Sequence, residues 1–124
     1  QKTPNAHLEA TSEDMIDAVI GSADLIISAG KSGIRMLTAT QLSQATSNKV
    51  CIDLNAIPPA GIDGVHTTDH ARHDGTKHFY GALGVGGMKM KLHKVAIQQL
   101  FQTNDQWLDA EELLVLSKRL MLSE

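Results

Sequence analysis

Two runs of consecutive apolar residues predict the strands at the centre of the fold. Leu25 to Ile27 is closed by Ser28-Ala29-Gly30, and Lys49 to Leu54 is apolar apart from Lys49 and Asp53. Apolar runs without alternation are typical of strands that are buried on both faces of a parallel sheet. A helical pattern from Leu37 to Ala45 lies between them, which predicts a β-α-β unit with a right-handed crossover.

Weaker patterns flank this unit. A short strand is predicted at Asn5 to Ala10, followed by a helix from Thr11 to about Gly21. Near the other end of the chain, Asp109 and Glu112 have the spacing of a capping box. This spacing predicts a final amphipathic helix.

Four glycines lie within the seven residues from Gly81 to Gly87, directly before a helical pattern from Met88 to Phe101. We predict a tight turn that leads into this helix. The dinucleotide-binding pattern G-x-G-x-x-G would need glycine at position 89, where the chain has Lys89. Two interpretations remain: close packing of backbone against backbone, or a surface that contacts a flat or charged ligand at the helix N-terminus.

A helical wheel makes Lys89 a candidate functional residue. Lys91, Lys94 and Gln98 form a polar stripe, and Lys89 and His93 fall on the opposite side. The wheel therefore predicts that Lys89 and His93 turn away from water. Because burying an unpaired ammonium is costly, Lys89 either has a function or extends to solvent or to a neighbouring carboxylate.

Small and polar residues follow both central strands. In open α/β sheets, ligands bind outside the carboxyl ends of the strands, so Ser28-Ala29-Gly30 and Asn55-Ala56 would face one crevice. The stretch from Asn55 to His78 has no hydrophobic periodicity, which is typical of a functional or disordered loop. Phe79 and Tyr80 then predict a short last strand.

Other reactive residues give weaker signals. Asp53 either orients a loop or ligand or is a satisfied structural carboxylate, and Cys51 is expected in the core rather than as a nucleophile. The histidines of the long loop have no standard metal-ligand spacing, so we predict no metal site there. These histidines are His66, His70, His73 and His78.

The composition narrows the class of protein. The chain has 124 residues, 42% of them hydrophobic and 20% charged, which is typical of one globular domain. Its net charge of −3 gives no basic footprint for nucleic acid. No apolar run approaches the length of a membrane span, and no signal peptide is recognisable. A single cysteine is typical of a cytoplasmic protein.

Two segments resemble one enzyme family. Asp53 to Gly64 resembles the D-x-N-A-x-P-P-x-G-I-x-G segment of bacterial NAD(P)-dependent methylene-tetrahydromethanopterin dehydrogenases. Gly81 to His93 resembles the same family's G-A-L-G-I/V-G-G-x-K-x-K-x-H segment, and Asp109 to Glu112 is also similar. The resemblance runs from about Ser22 to about Leu120.

The resemblance implies an α/β fold, namely a partial doubly wound, Rossmann-like parallel sheet with C-terminal helices. Residues 1–124 would be the C-terminal portion of an NAD(P)-binding domain. The pterin-binding domain and the half with the phosphate loop would lie outside this chain, which would explain why it does not begin with methionine. The implied activity is hydride transfer from methylene-tetrahydromethanopterin to NADP or NAD in one-carbon metabolism. We expect this chain alone to be inactive.

The resemblance also implies site residues. Lys89 matches the first lysine of the family's K-x-K and would be the active-site cation. It would position the pterin, because a lysine does not stabilise a cationic methenyl product. The cofactor-binding residues implied by position are Ser28, Ala29, Gly30, Asn55, Ala56, Gly84 and Gly86.

Alternatives to this function remain. The nearest is the analogous methylene-tetrahydrofolate reaction, and another is a nucleotide-binding or interaction module without catalysis. The expected partners are the pterin substrate, the remaining part of the polypeptide and further copies of the protein. Half a Rossmann sheet leaves an open edge, which predicts self-association or pairing with the missing half.

Overall fold

A computed structural model describes residues 10, 12–47, 49–103 and 105–122. A 3-10 turn at Glu13–Met15 leads into α1 (Ile16–Ile20), β1 (Leu25–Ser28), α2 (Ala39–Ser43) and β2 (Lys49–Asp53). After a long loop come β3 (Arg72–Asp74), β4 (Lys77–Tyr80), α3 (Ala82–Leu100) and α4 (Ala110–Leu122). No helix within these ranges combines the length and the apolar character needed to cross a membrane.

The four strands form one mixed sheet in the order β1-β2-β4-β3. β2 runs parallel to both β1 and β4, which confirms the α/β class and the two predicted central strands. β3 runs antiparallel to β4, so the sheet is not wholly parallel as predicted. The reason is a tight hairpin whose two-residue turn is Gly75-Thr76, where Gly75 has a φ of 59°. Glycine at the first position of a two-residue turn is a local hairpin signal that a search for hydrophobic periodicity overlooks.

The apolar core lies on one face of the sheet. Cys51 and Phe79 project from this face and pack with Ile20 of α1, Leu42 of α2 and Ile62. Cys51 is fully buried, as predicted for a core residue. Burial raises the pKa of its thiol, with a smaller opposing effect from Lys77 and Lys49, so the thiol stays neutral and is a poor nucleophile.

The other face of β1 is open. Leu25 is 52% exposed and Ile27 is 54% exposed, so the prediction that this strand is buried on both faces is wrong. Only the side of β1 that carries Ile26 and Ser28 packs against the core, and the side chains of Leu25 and Ile27 point to the other face. Within the described residues β1 also pairs only with β2. The apolar sequence of β1 therefore presents an exposed edge and a half-covered face.

Local signals set most of the helix ends. Gly21 ends α1 as predicted, and the backbone N–H groups of Glu111 and Glu112 bond the Asp109 carboxylate at 2.8 and 3.3 Å. The N–H of Asp109 in turn bonds the Glu112 carboxylate at 3.2 Å, which completes the predicted capping box. The predicted strand at Asn5 to Ala10 lies, except for Ala10, outside the described residues.

The glycine-rich segment is helical, which differs from the prediction. α3 begins at Ala82, six residues before the expected start at Met88, and Gly81 is its N-cap. Only Gly81 lies outside the helix, so the predicted turn over Gly81 to Gly87 is wrong.

Candidate functional site

Asp53 organises the loop that follows β2. Its buried carboxylate accepts the backbone N–H groups of Asn55 and Ile62, both at 3.0 Å. The side-chain oxygen of Asn55 accepts the N–H of Ile57 at 3.2 Å, just before the cis peptide bond between Pro58 and Pro59. These bonds make Asp53 a satisfied structural carboxylate, and they also fix the path of the loop. The bond from Ile57 also engages the side-chain oxygen of Asn55.

Ser28 ends β1 as a buried residue without a partner for its side chain. Its Oγ has no hydrogen-bond partner within the described part of the chain, although Ser28 is only 7% exposed. A Cβ placed on Gly61 would overlap this oxygen, so glycine is required at position 61. Ser28 also lines an apolar cavity of about 270 Å³ between α1 and β1, together with Ile16 and Met36. A buried hydroxyl without a protein partner can bond a ligand or an ordered water molecule.

A second cavity lies outside the carboxyl end of β2. It has a volume of about 420 Å³ and combines apolar walls with polar side chains. We call it the strand-end cavity, and its lining residues are Asn55, Ile57, Pro58, Ala60, Val65, His66, Thr67 and Thr68. The position agrees with the general location of ligand sites in α/β sheets.

The wall of the strand-end cavity holds the start of α3. The carbonyl oxygen of Thr67 accepts the N–H groups of Leu83 at 2.8 Å and of Gly84 at 3.3 Å. The carbonyl oxygen of Asp69 accepts the N–H of Gly81 at 2.9 Å. Anion sites at helix N-termini depend on free N–H groups. Because the N–H groups of Gly81, Leu83 and Gly84 are paired with loop carbonyls, these contacts favour the packing interpretation over a charged ligand at this helix N-terminus.

The glycines of α3 divide into two pairs. A Cβ on Gly81 would overlap the carbonyl oxygen of His66, and a Cβ on Gly84 would overlap that of Asp69. Gly86 and Gly87 face open space, because a Cβ added at either residue would meet no atom within 4 Å. The packing interpretation is therefore confirmed for Gly81 and Gly84, and Gly86 and Gly87 need another explanation.

Asp69 fixes the loop against α3. Its carboxylate accepts two hydrogen bonds from Arg72, at 2.7 and 2.9 Å, and the N–H of His66 at 2.8 Å. The Arg72 hydrogen bonds hold the pKa of the Asp69 carboxyl below its usual value. Arg72 also bonds the carbonyl of Gly64 and lies over the ring of Phe79 at 4.7 Å. The loop is thus tied to both the core and the helix.

Lys89 lies in the second turn of α3 and is exposed. The prediction that Lys89 and His93 turn away from water is wrong, since both are exposed. The half-buried positions of α3 include Met88, Leu92 and Val95, with i, i+4, i+7 spacing. Packing of these residues rotates Lys89 to the rim of the buried face.

The structure brings some of the predicted site residues together and leaves others separate. Asn55 lines the strand-end cavity, and Gly84 bonds the cavity residue Thr67. Ser28 faces the other cavity, while Ala29, Gly30 and Ala56 are exposed beside the strand ends. Leu83 bonds the cavity residue Thr67, and Lys89 lies six residues after Leu83. Lys89 is therefore about 9 Å from that bond along the helix axis.

Sequence reasoning does not assign three polar residues to the strand-end cavity: His66, which it considers only as a metal ligand, Thr67 and Thr68. The only signal for them was the length of the aperiodic loop. Among the described residues, no group of three or more potential metal ligands is close enough to hold an ion.

Comparisons with known proteins show two partial similarities. The chain is 35% identical over 117 residues to the bifunctional protein MdtA of Methylorubrum extorquens, which covers 94% of this chain and 41% of that protein. It is 45% identical over 74 residues to the NAD(P)-dependent methylenetetrahydromethanopterin dehydrogenase of the same organism, which covers 58% of this chain and 25% of that enzyme. No protein-family model matches the chain. The chain thus spans less than half the length of two proteins to which it is similar, and one of them is named as an NAD(P)-dependent dehydrogenase.

Proposed function

We propose that this chain forms part of an oxidoreductase that transfers a hydride from methylene-tetrahydromethanopterin to NADP or NAD. The observation that carries the proposal is the 45% identity over 74 residues to a protein named for this reaction. The fold supports it, because a cavity lies outside the carboxyl end of β2, where α/β sheets hold their ligands.

We expect the strand ends to hold the nicotinamide cofactor. The hydroxyl of Ser28 is buried and unpaired in the described structure, and Ala29 and Gly30 add little bulk beside it. We expect these residues to hold the nicotinamide end, with Asn55 and Ala56 along the neighbouring strand end. When bound, the nicotinamide supplies the hydride acceptor. Gly86, which has open space above its Cα, would border the same cleft.

The protein's own contribution is orientation and exclusion of water. Hydride transfer needs the two reacting carbons held close together and needs no proton-transfer group. The carboxylates of Asp53 and Asp69 accept backbone N–H groups of the loops that line the cavity, and these bonds support an organised wall. Lys89 on α3 would contact a polar group of the pterin and position it.

The test is an assay of the full-length protein with methylene-tetrahydromethanopterin and NADP or NAD. We expect an absorbance increase from the methenyl product together with reduction of the cofactor. Activity with methylene-tetrahydrofolate alone would favour the folate reaction instead. A full-length protein that binds cofactor without turning over either substrate would support the non-catalytic alternative.

A further inference from the structure

Two histidines meet across the β3–β4 hairpin. The ring centroids of His73 and His78 are 3.9 Å apart, with an angle of 63° between the ring planes. The two residues are direct partners in the antiparallel register. Their spacing along the chain gave no metal-ligand pattern, because the contact depends on the tight turn at Gly75.

The hairpin geometry places the two histidine side chains next to each other. Asp74 and Lys77 flank the two-residue turn, so the next pair along the hairpin, His73 and His78, is of the non-hydrogen-bonded kind. Side chains of such pairs lie closest together. His73 is exposed and His78 is half-buried, so an ion can reach both rings from solvent.

The charged side chains of the hairpin lie on its other face. Side chains alternate along a strand, so Arg72, Asp74 and Lys77 point away from the two imidazoles. Arg72 is further engaged by Asp69. No cationic side chain of the hairpin therefore lies on the same face as the two histidines, where it would repel a metal ion.

We propose that His73 and His78 form a two-histidine binding site for a divalent transition-metal ion, with water completing the coordination. Imidazole nitrogens suit Zn²⁺, Cu²⁺ and Ni²⁺, whereas Mg²⁺ and Ca²⁺ prefer oxygen ligands. Two protein ligands on an exposed hairpin give an open site with exchangeable water positions. This site involves no residue of the strand-end cavity and is independent of the proposed dehydrogenase activity.

The experiment is calorimetric titration of the full-length protein with Zn²⁺, followed by NMR of the histidine ring protons. We expect one saturable site whose binding perturbs His73 and His78 together. Zn²⁺ binding should displace protons from the protein, because metal ligands bind in their deprotonated form. His73→Asn and His78→Asn should each weaken Zn²⁺ binding by at least about tenfold.

His70→Asn is the matched control, since His70 lies in the same loop region but contacts Tyr80 rather than another histidine. It should leave the Zn²⁺ affinity unchanged. If His78→Asn does not fold, His73→Asn still tests the proposal, because His73 is exposed. Equal Zn²⁺ affinity in wild type and His73→Asn, or equal losses for His70→Asn and His73→Asn, would overturn the proposal.

Discussion

The carbonyl oxygen of Asp69 lies directly against the Cα of Gly84, in the first turn of α3. This contact explains why the helix can begin inside a glycine-rich segment. The loop that walls the strand-end cavity and the helix that carries Lys89 are joined at this point, and they are expected to move together.

Replacement of Gly84 should therefore damage the fold. In Gly84→Ala, the added methyl would overlap the Asp69 carbonyl, and we expect a loss of about 1–3 kcal/mol in the free energy of unfolding. Gly86→Ala is the control, because its Cβ meets open space inside the same helix. It should gain about 0.5–1 kcal/mol. Urea denaturation measures both, and a Gly84→Ala protein as stable as wild type would refute the packing role.

Asp69 should make the free energy of unfolding decrease at acidic pH. Its pKa is lowered in the folded state, mainly by the Arg72 hydrogen bonds. Its contribution is therefore complete above the unfolded pKa of about 3.9 and is lost as the pH falls through the lower folded value. Asp69→Asn should lower the free energy of unfolding by about 1–3 kcal/mol at neutral pH and flatten its decline in acid.

Asp74→Asn provides the comparison for Asp69, since Asp74 is exposed and lies 4.0 Å from the Arg72 guanidinium. An exposed ion pair contributes little, so this variant should unfold with nearly the wild-type free energy at each pH. Equal losses in the free energy of unfolding for Asp69→Asn and Asp74→Asn would show that the Asp69 contacts do not hold the loop in place.

The open edge of β1 should drive self-association of residues 1–124 when they are produced alone. Light scattering should show species larger than a monomer, because an apolar edge strand offers unpaired backbone groups. Ile27→Lys should reduce the association. Ile57→Lys should not, since Ile57 has a similar exposure of 58% but lies in a loop. A wild-type chain that stays monomeric at high concentration would contradict this expectation.

Lys89 should matter for turnover more than for folding. In the full-length enzyme, Lys89→Ala should lower kcat by roughly 10²-fold if the ammonium positions the pterin. Lys118→Ala on α4 is the control, because Lys118 is another exposed helical lysine. Both variants should keep the wild-type melting temperature. Unchanged turnover in Lys89→Ala would favour a module in which this lysine has no catalytic role.

The strands and caps could be predicted because their signals are local. The apolar run at Leu25 to Ile27, the Asp109–Glu112 box and the stop at Gly21 each depend on neighbouring residues only. The start of α3 could not be predicted in this way. Glycine disfavours helix, and here the carbonyls of Thr67 and Asp69 supply the capping partners and the close packing that offset its low propensity.

The candidate site was only partly predictable for the same reason. Asn55 follows from the rule that ligands bind at strand ends, and it lines the strand-end cavity. His66 and Thr68 reach that cavity through a loop whose path is set by Asp53 and Asp69. The orientation of Lys89 depends on which face of α3 is packed. A helical wheel of α3 alone does not show which elements pack against it.

The most direct test of the proposed function follows the transferred hydrogen. The full-length protein is incubated with methylene-tetrahydromethanopterin deuterated at the methylene carbon and with NADP, and the reduced cofactor is analysed by mass spectrometry. Direct transfer predicts one deuterium in each NADPH formed. Reduced cofactor without deuterium, or no reduced cofactor at all, would contradict the proposed function.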